Sequence, residues 1–181
     1  GGLNLVSGDL DNDGDLDALV LRGGWVALDP GRQPNSLLRN EGDGTFTDVA
    51  LASGLTEARQ TRATLVADYD RDGWVDAFAM NRDGTPPSLF RNETGALSAN
   101  HWLEVALGGD PALAGPFRST RDALGAKIRV AAAGRTQLRE IRSGAHSCAS
   151  TSSFVAAFGL GPAARAEAVR VEWPSGRVTT L

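Results

Sequence analysis

The chain has 181 residues, a net charge of −4, 41% hydrophobic residues and a single cysteine. This hydrophobic content excludes a disordered chain, and no apolar run reaches the roughly 20 residues of a membrane span. One cysteine excludes an intrachain disulfide, and the absence of an extended basic stripe argues against nucleic acid as a partner.

An acidic loop between two short apolar runs comes first along the chain. Residues 9–17 read D-L-D-N-D-G-D-L-D, with acids at loop positions 1, 3, 5 and 9 and Gly14 at position 6. Like charges ~4 Å apart repel by about 4 kcal/mol at an effective dielectric near 20. Ca2+ takes roughly 6–8 oxygen ligands and removes this repulsion. We therefore predict a calcium site formed by the following residues: the side chains of Asp9, Asp11, Asp13 and Asp17, and the backbone carbonyl of Asp15.

The same pattern returns at residues 68–76, which read D-Y-D-R-D-G-W-V-D. The predicted ligands of this second calcium site are the side chains of Asp68, Asp70, Asp72 and Asp76, and the backbone carbonyl of Trp74. A plain Asp-Gly hairpin turn is the alternative, but two loops of identical spacing disfavour it. An EF-hand is excluded because position 12 is Val20 or Ala79 where it requires Glu, and the flanking apolar runs are typical of strands.

Each loop is followed by a related segment, NSLLRNEGDGTFTDVA at Asn35–Ala50 and SLFRNETGAL at Ser88–Leu97. Loops and segments together resemble FG-GAP/VCBS-type β-propeller repeats. The resemblance implies two blades, at about 1–50 and 51–97, with a longer surface loop at Gly23–Pro34. Residues 51–63 form either one helical turn or a plain connection between blades. Because a propeller closes with roughly 4–8 blades, we expect further blades upstream of Gly1; the alternative is that the two units pack on the C-terminal domain.

Residues 98–181 have the alternation and turn signals of a small β-sandwich-like domain with at least five strands. Loops are expected at Gly108–Thr120 and Ser143–Ser153, and a short strand at Phe154–Phe158. Four segments resemble the ASPIC/UnbV domain, which follows such repeats in cartilage acidic protein-like proteins: NHWLEVAL from Asn100, RDALGAKIRV from Arg121, FGLG from Phe158 and VEWPSG from Val171. We expect this domain to stop one strand short of completion at Leu181.

No residues form a recognisable catalytic set. His101 precedes a strand, and His146 beside Cys148 lacks the spacing of a nucleophile and its base. A glycosidase needs a protonated carboxylic acid, which Ca2+ ligation would prevent. Trp25, Trp74, Trp102 and Trp173 are expected to pack in cores, although Trp74 in its acidic loop is also a candidate for stacking on a sugar.

The sequence thus predicts an all-β chain, a partial β-propeller of two calcium-loop blades followed by the sandwich-like domain. The expected function is that of a non-catalytic, calcium-binding extracellular module, secreted, at the cell surface or periplasmic, for adhesion or for recognition of a protein or glycan. The alternative is an accessory region of a larger secreted enzyme that processes polysaccharide or lipid.

Overall fold

The computed structural model describes residues 2–22, 34–81, 84–110, 119–143 and 153–181. Trp25, His146, Cys148 and nearly all of the expected loops at Gly23–Pro34 and Ser143–Ser153 lie outside these ranges. Within them the chain forms antiparallel strands and one short 3-10 helix, and no α-helix. The all-β prediction is therefore confirmed.

The first unit is a four-stranded sheet in the order β1-β2-β3-β4. Its strands are β1 Gly2–Gly8, β2 Asp17–Arg22, β3 Ser36–Asn40 and β4 Phe46–Asp48. In β2, side chains alternate between buried and half-buried, which is the period of a strand with one face in a core. Gly8 pairs with Asp17, so the acidic loop closes the end of the β1–β2 hairpin.

The second unit has three strands, in the order β5-β6-β7. They are β5 Thr61–Ala67, β6 Asp76–Asn81 and β7 Ser88–Phe90, and the 3-10 helix at Thr94–Ala96 follows. The first unit builds its fourth strand from Phe46, Thr47 and Asp48, but the matching part of the second unit is Ala-rich and Gly-containing and holds the 3-10 helix in place of a strand. Residues 51–60 form a turn and an irregular connection, as the second alternative predicted.

The two units share one hydrophobic core. Val6, Leu19 and Leu21 of the first sheet pack in it with Ala77 and Ala79 of the second. This pairing of sheet faces brings the β1–β2 and β5–β6 hairpins side by side. The two acidic loops, which close these hairpins, consequently lie next to each other.

The C-terminal part is a sandwich of two sheets, ordered β10-β9-β12-β13 and β11-β8. The strands are β8 His101–Ala106, β9 Lys127–Ala132, β10 Arg135–Glu140, β11 Val155–Gly161, β12 Ala168–Glu172 and β13 Val178–Thr180. Ile128, Val130 and Val171 of the larger sheet are buried with Phe158 and Leu160 of the smaller one. The predicted sandwich-like domain is thus present, and β11 continues beyond Phe158 to Gly161.

In the part of the chain that the structure describes, no helix has the length and apolarity needed to span a membrane.

Candidate metal centre

The first acidic loop turns sharply because two of its residues adopt a left-handed backbone. Asn12, at position 4, has φ 55° and Gly14, at position 6, has φ 101°. Asparagine and glycine are the residues that tolerate this region best. The turn points the acids at positions 1, 3 and 9 toward one another.

Three of the predicted ligands of the first loop come together. One carboxylate oxygen from each of Asp9, Asp11 and Asp17 lies within 4.8 Å of the others. Asp9 and Asp17 are only 3% and 2% exposed. The Oδ2 atom of Asp9 accepts hydrogen bonds from the Gly14 N–H at 3.1 Å and the Gly159 N–H at 2.9 Å, whereas its buried Oδ1 accepts none from any described residue.

Burial, together with the nearness of other carboxylates, raises the pKa values of these three acids. Burial raises the pKa of Asp9 to about 7 and that of Asp17 to about 6, and the charge of Asp13 adds to the effect at both residues. Burial, again with Asp13, also raises the pKa of Asp11. Without a cation, the ionised forms of these three acids are therefore less favourable than in a free aspartate.

Asp13 and Asp15 do not belong to this group of three. An oxygen of Asp13 accepts a hydrogen bond from the Asp15 N–H at 2.8 Å, and the Asp15 carboxylate forms an ion pair with Arg135 at 2.6 Å. Because the Asp15 carboxylate is paired with Arg135, only the backbone carbonyl of Asp15 is left as a ligand, which is the role that the sequence predicts. Asp13 as a ligand and the Asp15 carbonyl as a ligand both stay predictions.

The second loop repeats the geometry of the first. Arg71 and Gly73, at positions 4 and 6, have φ 62° and 90°. Oxygens of Asp68, Asp70 and Asp76 lie within 4.8 Å of one another, and the Gly73 N–H donates to Asp68 Oδ2 at 2.7 Å, as Gly14 does to Asp9. Burial raises the pKa of Asp76.

The second loop is more open and is partly neutralised by Arg91. The guanidinium of Arg91 lies 2.8 Å from an oxygen of Asp70 and 3.4 Å from one of Asp72. In the first unit the corresponding Arg39 instead pairs with Glu41 at 2.9 Å. A cation at the second loop would therefore compete with Arg91 for Asp70, and Asp72 as a ligand stays a prediction.

Sequence reasoning missed two asparagines that position the acid at loop position 9. The backbone N–H of Asn40 donates to Asp17 at 2.9 Å, and that of Asn92 donates to Asp76 at 2.7 Å. Their side-chain amides donate to the carbonyl at position 8, which is Leu16 in one loop and Val75 in the other. The sequence feature that could have revealed these asparagines is the repeated pattern S-L-x-R-N, which by itself predicts only a strand of a hairpin.

The residues present fit a hard divalent cation. Each loop offers three converging carboxylates and no nitrogen or sulfur ligand, which is the donor set that Ca2+ and Mg2+ prefer. The buried Oδ1 of Asp9 is costly without a partner, since an unpaired buried polar atom loses its solvation without compensation. Two acidic clusters that can hold a metal ion are thus present.

Comparison with known proteins agrees with this arrangement. The family model of the FG-GAP-like repeat matches residues 9–79, and the model described as ASPIC and UnbV matches residues 115–181. The chain carries FG-GAP-like repeats and an ASPIC and UnbV domain. The first match spans both acidic loops, which accounts for their equal spacing.

Relatives with curated names include cartilage acidic protein 1 of Xenopus tropicalis, which is 45% identical over 58 residues, and that of Homo sapiens, which is 44% identical over 52 residues. These alignments cover 32% and 28% of this chain and 9% and 8% of the relatives. The chain thus matches less than a tenth of the length of either relative.

Hydrogen bonds join the first loop to the second loop and to the segment that follows it. The buried side chain of Asn12 donates to the carbonyl of Gly73 at 3.0 Å, and the side chain of Asn92 donates to the carbonyl of Leu10 at 2.7 Å. Asn12 therefore serves both the turn of its own loop and the contact with the second. The two candidate sites are thus joined by direct hydrogen bonds.

The C-terminal sandwich lies against both loops of the FG-GAP-like region. Trp102 of β8 covers Gly73 so closely that a Cβ there would be 1.8 Å from the indole ring. Glu104, also on β8, has its pKa raised by burial and by the charge of Asp68. The expectation that Trp102 is a core residue is therefore wrong: it is 41% exposed and packs on an acidic loop.

Trp74 is not available for stacking on a sugar. Its side chain is 6% exposed and lies so close beneath Gly95 that a Cβ there would be 2.4 Å from the indole Nε1. The sugar-stacking alternative for this residue is corrected accordingly, because the 3-10 helix covers the ring.

Proposed function

We propose that the chain is a non-catalytic, calcium-binding extracellular module that recognises a protein or a glycan. The observation that carries the proposal is the buried Oδ1 of Asp9, which has no hydrogen-bond partner among the described residues and lies beside the carboxylates of Asp11 and Asp17. An irregular loop of carboxylates suits Ca2+, whose coordination is flexible, better than Mg2+, which demands near-ideal octahedral geometry. The proposed ligands are the three clustered acids of each loop, with the additional ligands that the spacing predicts: Asp13, Asp72, and the carbonyls of Asp15 and Trp74.

In this proposal the role of calcium is structural. The loops close two hairpins that share a core, and each loop places mutually repelling acids where the hairpins lie side by side. Binding of cations to the folded loops and not to the unfolded chain adds the free energy of binding to that of folding. The metal thereby fixes the surface that the module presents.

The proposed extracellular location rests on the calcium affinity typical of extracellular modules and on the proteins that this chain resembles. Extracellular calcium modules bind with Kd of about 10⁻⁴–10⁻³ M, which suits the calcium available outside cells. The FG-GAP-like repeats and the relatives named cartilage acidic protein 1 support a secreted, cell-surface or periplasmic module.

The non-catalytic character follows from the use of the acids. Carboxylates bound to Ca2+ stay ionised and cannot act as the general acid of a glycosidase.

A recognition role gains support from an open cleft of about 310 Å³ at the junction of the first loop with the sandwich. Asp13, Arg135 and Gln137 line it together with small and apolar residues, so it offers a ligand both polar and apolar contacts.

Binding to an array of matrix proteins and glycans tests the proposal. We expect the labelled chain to bind at least one class in millimolar calcium, and to lose that binding in EDTA and in the double variant Asp9→Asn/Asp68→Asn. The charge-matched variant Asp122→Asn/Glu167→Gln, which changes exposed acids outside the loops, should bind like the wild type. Binding that survives both EDTA and the loop variant, or no binding to any class, contradicts the proposal.

A further inference from the structure

The first acidic loop is bound to the C-terminal sandwich at the edge of strand β11. Gly159 donates its backbone N–H to Asp9 Oδ2 at 2.9 Å, and Gly161 donates to the carbonyl of Asn12 at 2.9 Å. Strand β11 pairs with β8 on its other side, so its free edge would otherwise leave these amides unpaired. The loop thus completes the hydrogen bonding of a strand that lies 150 residues further along the chain.

Gly159 is fixed from two directions. Its N–H reaches Asp9 in the repeats, while its carbonyl accepts a hydrogen bond from Gln137 of β10 at 2.5 Å, within the sandwich. A Cβ at Gly159 would lie 2.3 Å from Asp9 Oδ2 and 2.4 Å from the backbone of Asn12. The closeness of the two chains therefore requires a glycine.

Two further contacts hold the same junction. The side chain of Asn100, just before β8, donates to the carbonyl of Asp11 at 2.9 Å, and Arg135 pairs with Asp15. Every one of these contacts reaches the loop that carries the three clustered acids. The first loop and the sandwich are thus held together by three hydrogen bonds and one ion pair.

We propose that the cation at the first acidic loop also fixes the C-terminal sandwich to the repeats, with Gly159 as the positioning residue. This inference rests on the proposed calcium binding. One oxygen of Asp9 accepts the hydrogen bond from Gly159, and the other, which is buried, would bind the metal. A single carboxylate therefore links the ion to the sandwich. Coupling of this kind is reciprocal: if calcium strengthens docking, docking strengthens calcium binding by the same factor.

Amide exchange of the intact chain, followed by NMR, tests the first half of this coupling. Calcium should slow exchange of the Gly159 and Gly161 amides by about tenfold or more, as expected when a ligand binds only the docked state. The effect should vanish in Asp9→Asn and persist in Asp68→Asn. The Ile141 amide, which donates to Ala126 inside the sandwich, should respond little and serves as the internal reference.

Calcium titration of the Gly159→Ala variant tests the reciprocal half. We expect it to weaken calcium binding at the first loop by about tenfold, a typical coupling, while leaving the second loop unchanged. Gly108→Ala is the matched control, because no atom lies within 4 Å of a Cβ built there.

The outcomes separate the inference from the function on which it rests. Normal calcium binding by Gly159→Ala together with unchanged amide exchange in the wild type overturns the coupling and leaves the proposed function standing. If calcium slows amide exchange equally at Ile141 and Gly159, the coupling is also overturned, since calcium would then stabilise the sandwich as a whole. Absence of calcium binding to the wild type overturns both.

Discussion

The Asp9→Asn variant is expected to lose most of the stabilisation that calcium gives the first loop. At about 10 mM calcium and a Kd of about 10⁻⁴ M, one site stabilises the folded chain by about 2.7 kcal/mol. For a chain of this size that corresponds to a fall in melting temperature of about 5–10 °C. Asp9 is chosen because its buried oxygen has no other partner among the described residues.

In EDTA the same variant is expected to be as stable as the wild type or more stable. Burial raises the pKa of Asp9 to about 7, so ionised Asp9 is unfavourable without a cation. The asparagine oxygen still accepts hydrogen bonds from Gly14 and Gly159, and its amide donates to the neighbouring carboxylates. The measurement is thermal unfolding by circular dichroism in both buffers, with exposed Asp122→Asn as control. Equal destabilisation in calcium and in EDTA means that Asp9 serves the turn alone.

The Gly73→Ala variant is expected to be strongly destabilised, whether calcium is present or not. Gly73 has φ 90°, which strains alanine, and a Cβ would lie 1.8 Å from the ring of Trp102. Strain at such a backbone position costs about 1–3 kcal/mol, and overpacking costs about 1–3 kcal/mol more. Both terms destabilise the folded state, so the loss is expected to exceed that from backbone strain alone.

Gly44→Ala separates these two terms. Gly44 has φ 91° and open space around its Cβ position, so this variant carries the backbone strain alone. The free energy of unfolding from urea titration should therefore fall further in Gly73→Ala than in Gly44→Ala, and adding Trp102→Ala to Gly73→Ala should recover the difference. Equal losses in the two glycine variants would show that Trp102 does not press on the loop.

The spacing of acids and glycines carries local information, and that information sufficed for the two hairpin loops. Gly14 and Gly73 take the positive φ that position 6 requires, and strands flank both loops as the apolar runs predict. The same reasoning placed Asp9, Asp11 and Asp17 in one cluster because alternate residues of an irregular loop can face one point.

The contacts that join distant parts of the chain had no such local signal. Asn40 and Asn92 act through strand register, and Gly159 acts across 150 residues of sequence. In the sequence, the segment FGLG stood out only by its resemblance to the ASPIC/UnbV domain. The structure explains why these residues occur there: Phe158 fills the sandwich core, and Gly159 leaves room for Asp9. The prediction that Trp102 packs in a core was wrong for the same reason, because the alternation of a strand does not reveal which distant residues cover its outward face.

Two separate cations enclosed by aspartate clusters are the claim on which the rest depends. Anomalous diffraction from crystals grown in calcium tests it most directly. We expect one peak among Asp9, Asp11 and Asp17 and another among Asp68, Asp70 and Asp76, with oxygen ligands at about 2.3–2.6 Å. Carboxylates that bind only water, with no anomalous peak at either loop, would contradict the account.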